Sequence, residues 1–357
     1  MEGQIIGGAM LPHAPQFFTQ PQTEDRAVIA SVQRVAAQIG EGLRTLRPDV
    51  WIVVSNDHAQ QFFQRCAPPF TFHVGGRATG DFAGRRFDFR VASDLAFQIV
   101  RELYRSDFDP AFTSTAEIDY ALGIPLTHIG LTDEPIVPVY VNAYLPPQPT
   151  MERCYTFGRA LARAVALSGK RAVVIASGGM SHFPGTDRYS EPCLDWDRAA
   201  LAPLARGNLR SLLAYDEAEL DNTGNIELRC WAVAAGALGE RKPDIVQLDP
   251  SWHHNYASLA WMSAPADTSA QAPHYPQIDP ALVALTDALH ALAHEDDARQ
   301  RFLADPAGYA EAAGVSGEQA RALVGLDGPL IVGLGVHPLV PFIAKMQIER
   351  ARARTQS

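Results

Sequence analysis

Val50-Trp51-Ile52-Val53-Val54-Ser55-Asn56-Asp57-His58 is five consecutive β-branched or aromatic residues followed by short polar ones and a histidine. An unbroken apolar run of this length reads as a strand buried on both faces. Its break at Ser55-Asn56-Asp57 sets His58 just past the strand's carboxyl end. Upstream, Val28, Ile29, Val32, Val35, Ile39 and Leu43 recur at helical spacing over residues 24–46, and Arg47-Pro48-Asp49 closes that helix. Further upstream, Gln4 to Met10 is apolar and breaks at Leu11-Pro12, a short buried strand that delivers His13 to a loop. Downstream the same grammar repeats, with Ile136–Val141 a strand, Met151–Leu167 a helix, and Ala172–Ala176 a strand running into Ser177-Gly178-Gly179-Met180-Ser181-His182. Buried strands alternating with helices specify an α/β fold, a central mixed sheet flanked by helices. In such sheets the loops at the carboxyl strand ends form the ligand crevice, where His58 and His182 fall.

The 357 residues are 47% hydrophobic and 20% charged, enough for one large core and a smaller unit. A net charge of −10 supplies no clustered Lys and Arg for a phosphate backbone, so nucleic acid is not an expected partner. Cys66, Cys154, Cys193 and Cys230 lie far apart with no CxxC pair, which fits a reducing compartment. The amino terminus lacks a basic segment before an apolar run, and no stretch approaches the ~20 apolar residues of a membrane span, so a cytoplasmic protein is expected. After Met262 the composition turns to Ser, Ala, Pro and Gln, a linker over 263–278. Residues 279–357 then read as a small all-helical domain of short pieces, behind a catalytic domain over 1–262.

His13 and His58 stand on separate loops, and a late carboxylate, Glu227, lies in Asn225-Ile226-Glu227-Leu228-Arg229-Cys230-Trp231. Two neutral imidazoles and one carboxylate on one face of an octahedron suit Fe(II) and leave three positions for substrate and O₂. Taken singly, each histidine also reads as an ordinary loop residue and Glu227 as a helix-surface acid.

Taken together, Asn56-Asp57-His58 followed by Phe62-Phe63, Gly178-Gly179-Met180-Ser181-His182, and Glu227 with Trp231 four residues on resemble the class III extradiol ring-cleavage dioxygenases. The protocatechuate 4,5-dioxygenase catalytic-subunit branch is the most similar, over about residues 5–262. Residues 301–306 and 333–338, Arg301 to Pro306 and Gly333 to Pro338, are similar to the small subunit of the same enzymes, fused here as in gallate dioxygenases. The resemblance implies His13, His58 and Glu227 as Fe(II) ligands, His182 as catalytic acid/base, a helical unit covering the active-site mouth, and a homo-oligomer such as a dimer. Where the family has Asp-His, this chain has Asp119-Tyr120, so Tyr120 takes the place of a second active-site histidine; a phenol still donates a hydrogen bond to a substrate oxygen or to O₂.

Asn56 and Asp57 are candidates to orient the ligand imidazoles, although Asn-Asp at a strand end is also turn chemistry. Ser181, His128 and Trp231 are further candidates for the surroundings of the site, with a structural role the simpler reading of His128 and Trp231. Arg229 and His337 are candidates to meet a substrate carboxylate. His253-His254 reads as structural or surface, since adjacent side chains diverge. The expected activity is Fe(II)-dependent meta-cleavage of a dihydroxylated, carboxylated ring of the protocatechuate or gallate kind in aromatic catabolism. The alternatives are an aminophenol or hydroxylated N-heterocycle as substrate, a metal-dependent hydrolase, or a non-catalytic binding protein on the same fold.

Overall fold

The computed structural model describes residues 3–115, 117–263 and 279–355. The chain divides into two compact units, Met1–Ala266 and Asp267–Ser357. From residue 264 on, the expected linker lies outside the described residues.

The first unit is built on an eight-stranded mixed sheet. Its strands are β1 (Gln4–Leu11), β2 (Val50–Ser55), β3 (Phe70–His73), β6 (Ala111–Thr113), β7 (Ile136–Val141), β8 (Arg171–Ser177), β9 (Ile245–Pro250) and β10 (Asn255–Trp261), in the order β6-β3-β7-β2-β8-β1-β10-β9. A separate hairpin pairs β4 (Arg77–Phe82) with β5 (Arg85–Arg90). In the middle of the sheet β7, β2, β8 and β1 run parallel, so their carboxyl ends share one edge. Antiparallel β10 brings the residues just before it to that same edge.

The run that opened the reading is buried throughout, and its alternation assigns it to two layers. Val50, Ile52 and Val54 enter the core beneath helices Ser93–Tyr104, Met151–Ser168 and Leu228–Leu238. Trp51 and Val53 enter the opposite core beneath helices Arg26–Thr45 and Tyr120–His128. Both faces of β2 are therefore covered, which is why polar residues can appear only where it ends. Asp25 caps the first of these long helices, accepting from the Ala27 N–H at 2.7 Å, and Thr150 caps Met151–Ser168 through the Arg153 N–H at 3.1 Å.

The hairpin was not anticipated. It closes on Ala83 and Gly84, both with positive φ (50° and 73°), the two-residue turn that matches the twist of paired strands. Only Gly84 carries the usual sequence signal for such a turn, and an alanine in the first position hides it.

The second unit is helical as expected, with helices Val283–His294, Asp296–Ala304, Pro306–Ala312, Gly317–Gly325, Gly328–Gly333 and Leu339–Thr355. Leu285, Leu289, Leu292, Phe302, Leu323, Ile331 and Ile348 form its own core. The Tyr309 hydroxyl donates to the Ala288 carbonyl at 2.8 Å, pinning its third helix to its first. Among the described residues no helix is long and apolar enough to cross a membrane.

Candidate metal centre

Four parallel strands end at one edge, and each contributes a polar side chain at or shortly beyond its last residue. β1 delivers His13, β2 delivers Asn56 and His58, β7 delivers Tyr144, and β8 delivers Ser177 and the loop to His182. Glu227 arrives from the opposite direction, at the amino-terminal cap position of helix Leu228–Leu238, where the helix dipole favours a carboxylate.

One oxygen of Glu227 is the focus. Its Oε1 lies 3.1 Å from His13 Nε2, 3.7 Å from His58 Nε2 and 3.9 Å from His182 Nε2. It also accepts from the Tyr144 hydroxyl at 2.8 Å and from Asn56 Nδ2 at 3.3 Å, while Oε2 accepts the Gly179 N–H at 2.9 Å. Glu227 is wholly buried. Burial opposes its charge, but the facing imidazoles of His13, His58 and His182 outweigh it and hold the carboxyl well below its usual range.

The rest of the arrangement sets which ring nitrogens are free. The Ser177 hydroxyl donates to the Ala121 carbonyl, so its oxygen accepts from His13 Nδ1–H at 2.9 Å, and Nε2 is the nitrogen that faces Glu227. Asp119 does the same for His58: Oδ2 accepts from Nδ1 at 2.7 Å and from the His58 backbone N–H at 3.1 Å. Oδ1 of Asp119 meanwhile caps helix Tyr120–His128 through the Ala121 N–H at 2.9 Å. Burial works against a charged His58, yet the Asp119 hydrogen bond and Glu227 raise its pKa to about 9.

The donor atoms of His13, His58 and Glu227 all lie within 4.8 Å of one another, and they are the one such trio among the described residues. Two imidazoles with outward-tied Nδ1 and one ionised carboxylate are the chemistry that a divalent transition metal requires, so these residues fit a metal ion. Replacing Asp119 by asparagine keeps the helix cap but removes the acceptor that orders His58; metal affinity should fall roughly 10–100-fold, measured by competition against a chromogenic chelator.

Beside this corner is a cavity of about 240 Å³ lined by His13, His58, Tyr120, Tyr144 and His182 together with Gln16, Pro184, Tyr189, His253 and His254. Tyr120 stacks on His58 with ring centroids 4.3 Å apart and lines the cavity. Burial, reinforced by Glu227 and Asp119, pushes the Tyr120 phenol above its ordinary range and keeps it a donor. His182 donates Nδ1–H to the Met180 carbonyl at 3.0 Å, leaving Nε2 to face Glu227. Burial lowers its pKa despite the nearby carboxylate, so the ring is a neutral acceptor.

Gly178-Gly179 serves close approach. A Cβ on Gly179 would fall 2.0 Å from His254 Nε2, and one on Gly178 would fall 3.1 Å from Glu227 Cβ. His254, read from sequence as structural or surface, is buried and stacks on His182 at 4.1 Å with the rings 2° from parallel. Ser181 does not line the cavity; its hydroxyl donates to Asp197 Oδ2 at 2.5 Å. The Asp197 carboxylate also accepts from Asn255 Nδ2 at 2.7 Å and from Asn225 Nδ2 at 3.0 Å. This buried carboxylate thus ties together the His182 loop, the approach to Glu227 and the start of β10. Asp197→Ala should strand these three donors and cost roughly 3 kcal/mol of stability, read from urea unfolding.

The remaining candidates fall elsewhere. Asn56 reaches Glu227, whereas Asp57 caps its own turn, accepting from the Gln61 and Phe62 N–H groups at 3.1 Å. His128 packs between Phe17 and Phe18 at 5.5 and 5.6 Å, and burial together with Arg85 lowers its pKa to about 4. Trp231 is core. Arg229 is buried rather than on a surface, and its guanidinium donates to the Pro149 and Ile226 carbonyls at 3.0 and 3.1 Å, away from the cavity lining. His337 belongs to the helical unit, where its Nδ1 accepts the Leu339 N–H at 3.2 Å. Asp119, Tyr144, Ser177 and His254 were the residues the sequence did not single out. Asp119 had a local signal as a helix cap; Tyr144 sits in a proline-rich loop that carried none.

Residues 7–260 match the protein family described as the catalytic LigB subunit of aromatic ring-opening dioxygenase. A 2,3-dihydroxyphenylpropionate/2,3-dihydroxicinnamic acid 1,2-dioxygenase of Cupriavidus necator is 26% identical over 302 residues, 70% of this chain and 96% of the relative. The similarly named protein of Klebsiella pneumoniae is 31% identical over 177 residues, 49% of this chain and 55% of that one. Among solved structures, an uncharacterized protein of Escherichia coli K12 aligns with a TM-score of 0.47 at 16% identity, covering 71% of this chain and 99% of that one.

Proposed function

Because the chain belongs to the family of catalytic subunits of aromatic ring-opening dioxygenases, we propose that it cleaves a vicinal dihydroxylated ring extradiol with O₂, using Fe(II) held by His13, His58 and Glu227. The observation that carries this reading is the convergence of those three side chains beside a cavity that His13, His58 and His182 line. Bound Fe(II) supplies a Lewis-acidic, redox-active centre with positions left for the diol and for O₂.

The protein's own groups do the rest. His13 and His58 present Nε2 because Ser177 and Asp119 hold their Nδ1 protons. His182 Nε2 takes the second phenolic proton of the diol and returns it to the opened product. Tyr120 and Tyr144 are phenol donors at the cavity wall; Tyr144 steadies Glu227, and Tyr120 is placed to donate to a substrate oxygen.

The expectation of a protocatechuate- or gallate-like acid came from the resemblance, with Arg229 and His337 as candidate partners for its carboxylate; Arg229 is occupied by backbone carbonyls. The diol is retained in this reading and the acid is left without that partner. The test is Fe(II)-loaded protein with a panel of catechols. One O₂ should be consumed per ring opened, and turnover should stop anaerobically; anaerobic turnover, or a folded protein that binds no metal, would sink it.

A further inference from the structure

The cavity has a second end. From the metal corner, ring contacts lead away from His182 to His254 at 4.1 Å, from His254 to His253 at 6.2 Å, and from His253 to Tyr189 at 5.1 Å. Gln16 Nε2 then donates to the Tyr189 hydroxyl at 3.2 Å. Gln16, Tyr189 and His253 line the same cavity as His13 and His58, within reach of a ring bound there.

Among the described residues, the cavity lining contains no arginine or lysine. Arg188, the cation next to Tyr189 in sequence, lies over the Phe183 ring at 3.9 Å and donates to the Asn222 carbonyl at 2.7 Å. Behind His253 stands an acid instead. Glu24, its side chain 3% exposed, accepts from His253 Nε2 at 3.1 Å and from Trp252 Nε1 at 3.3 Å. His253 Nε2 is thereby already engaged. A substrate carboxylate entering here would give up its water for an amide and a phenol, with a buried carboxylate behind them, and no cation to compensate. An uncharged group with hydrogen-bonding capacity would lose nothing comparable, since Gln16 and Tyr189 offer both donor and acceptor atoms.

We propose that Gln16, Tyr189 and the His253–Glu24 pair are the specificity wall of this enzyme, selecting diols that bear an uncharged, hydrogen-bonding substituent over diols that bear a carboxylate. This rests on the ring-opening reading above, and it separates the chain from relatives named for dihydroxyphenylpropionate, an acid.

The sharpest probes are pairs of equal shape: 3,4-dihydroxybenzamide against 3,4-dihydroxybenzoate, and the 2,3-dihydroxy pair. Two readouts are taken on the Fe(II)-loaded full chain, dissociation constants under anaerobic conditions by calorimetry and kcat/KM from O₂ uptake. Each amide should exceed its acid at least tenfold in both. Gln16→Lys, which installs a cation at the wall, should narrow that ratio at least tenfold, and Glu24→Gln should shift it in the same direction. Acids bound and opened as well as amides by the unmodified protein would overturn the proposal and leave the ring-opening reading standing. An amide preference unmoved by Gln16→Lys in a folded, metal-loaded variant would overturn the assignment to this wall. Metal-loaded protein that opens neither class of ring would overturn the underlying reading and this inference with it.

Discussion

Glu227→Ala should lose metal and ring-opening activity together, and it should be the most damaging single substitution in the site. The carboxylate, itself wholly buried, is the shared partner of His13, His58, Tyr144, Asn56 and the Gly179 N–H. Truncation leaves those donors facing a void, and breaking a buried charged network in this way costs roughly 3–5 kcal/mol, so lowered thermal stability should accompany the loss. Glu227→Gln separates the two effects. It keeps the shape and one acceptor oxygen, so the fold should survive, but it removes the negative charge that a divalent cation needs. Metal content measured on both purified variants decides the matter. Near-stoichiometric iron in a folded Glu227→Gln protein with normal turnover would remove Glu227 from the ligand set.

Much of this centre was legible because of where strands end. Val50–Val54 and Ala172–Ala176 are apolar without interruption, so the first polar residues after them had to lie at the sheet edge, and His58 and His182 follow directly. His13 was legible for the same reason after β1. What could not be read is whatever depends on two distant segments meeting. Asp119 looks like a helix cap and is one, but its other oxygen reaches a histidine 61 residues earlier. Tyr144 touches Glu227 only because β7 lies beside β2 in the sheet. His254 was dismissed because neighbouring side chains on a strand diverge. They do diverge, with the rings of His253 and His254 at 75°, yet both remain in one cavity wall because the chain has not entered β10. Arg229 failed in the other direction: an arginine in a helix suggests solvent, but this one is buried against the Pro149 loop, where carbonyls replace water.

His182→Ala should leave the metal in place and remove the proton acceptor, a combination that no ligand substitution produces. The imidazole is tied at Nδ1 to the Met180 carbonyl, supported from behind by His254, and aimed with Nε2 into the metal corner. Its pKa is lowered because burial outweighs Glu227, so the ring arrives neutral and can accept a proton from the diol. Removing a positioned general base typically costs roughly 10²–10⁴-fold in rate. The loss should fall on kcat, with iron content and anaerobic catechol affinity changed little, since His13, His58 and Glu227 are untouched. His182→Gln is the informative companion: it restores a polar side chain of similar reach that cannot take up a proton, so it should remain as slow as alanine. If iron content instead drops in step with activity in both variants, His182 is a ligand; if either turns over at the unmodified rate, the proton is handled elsewhere.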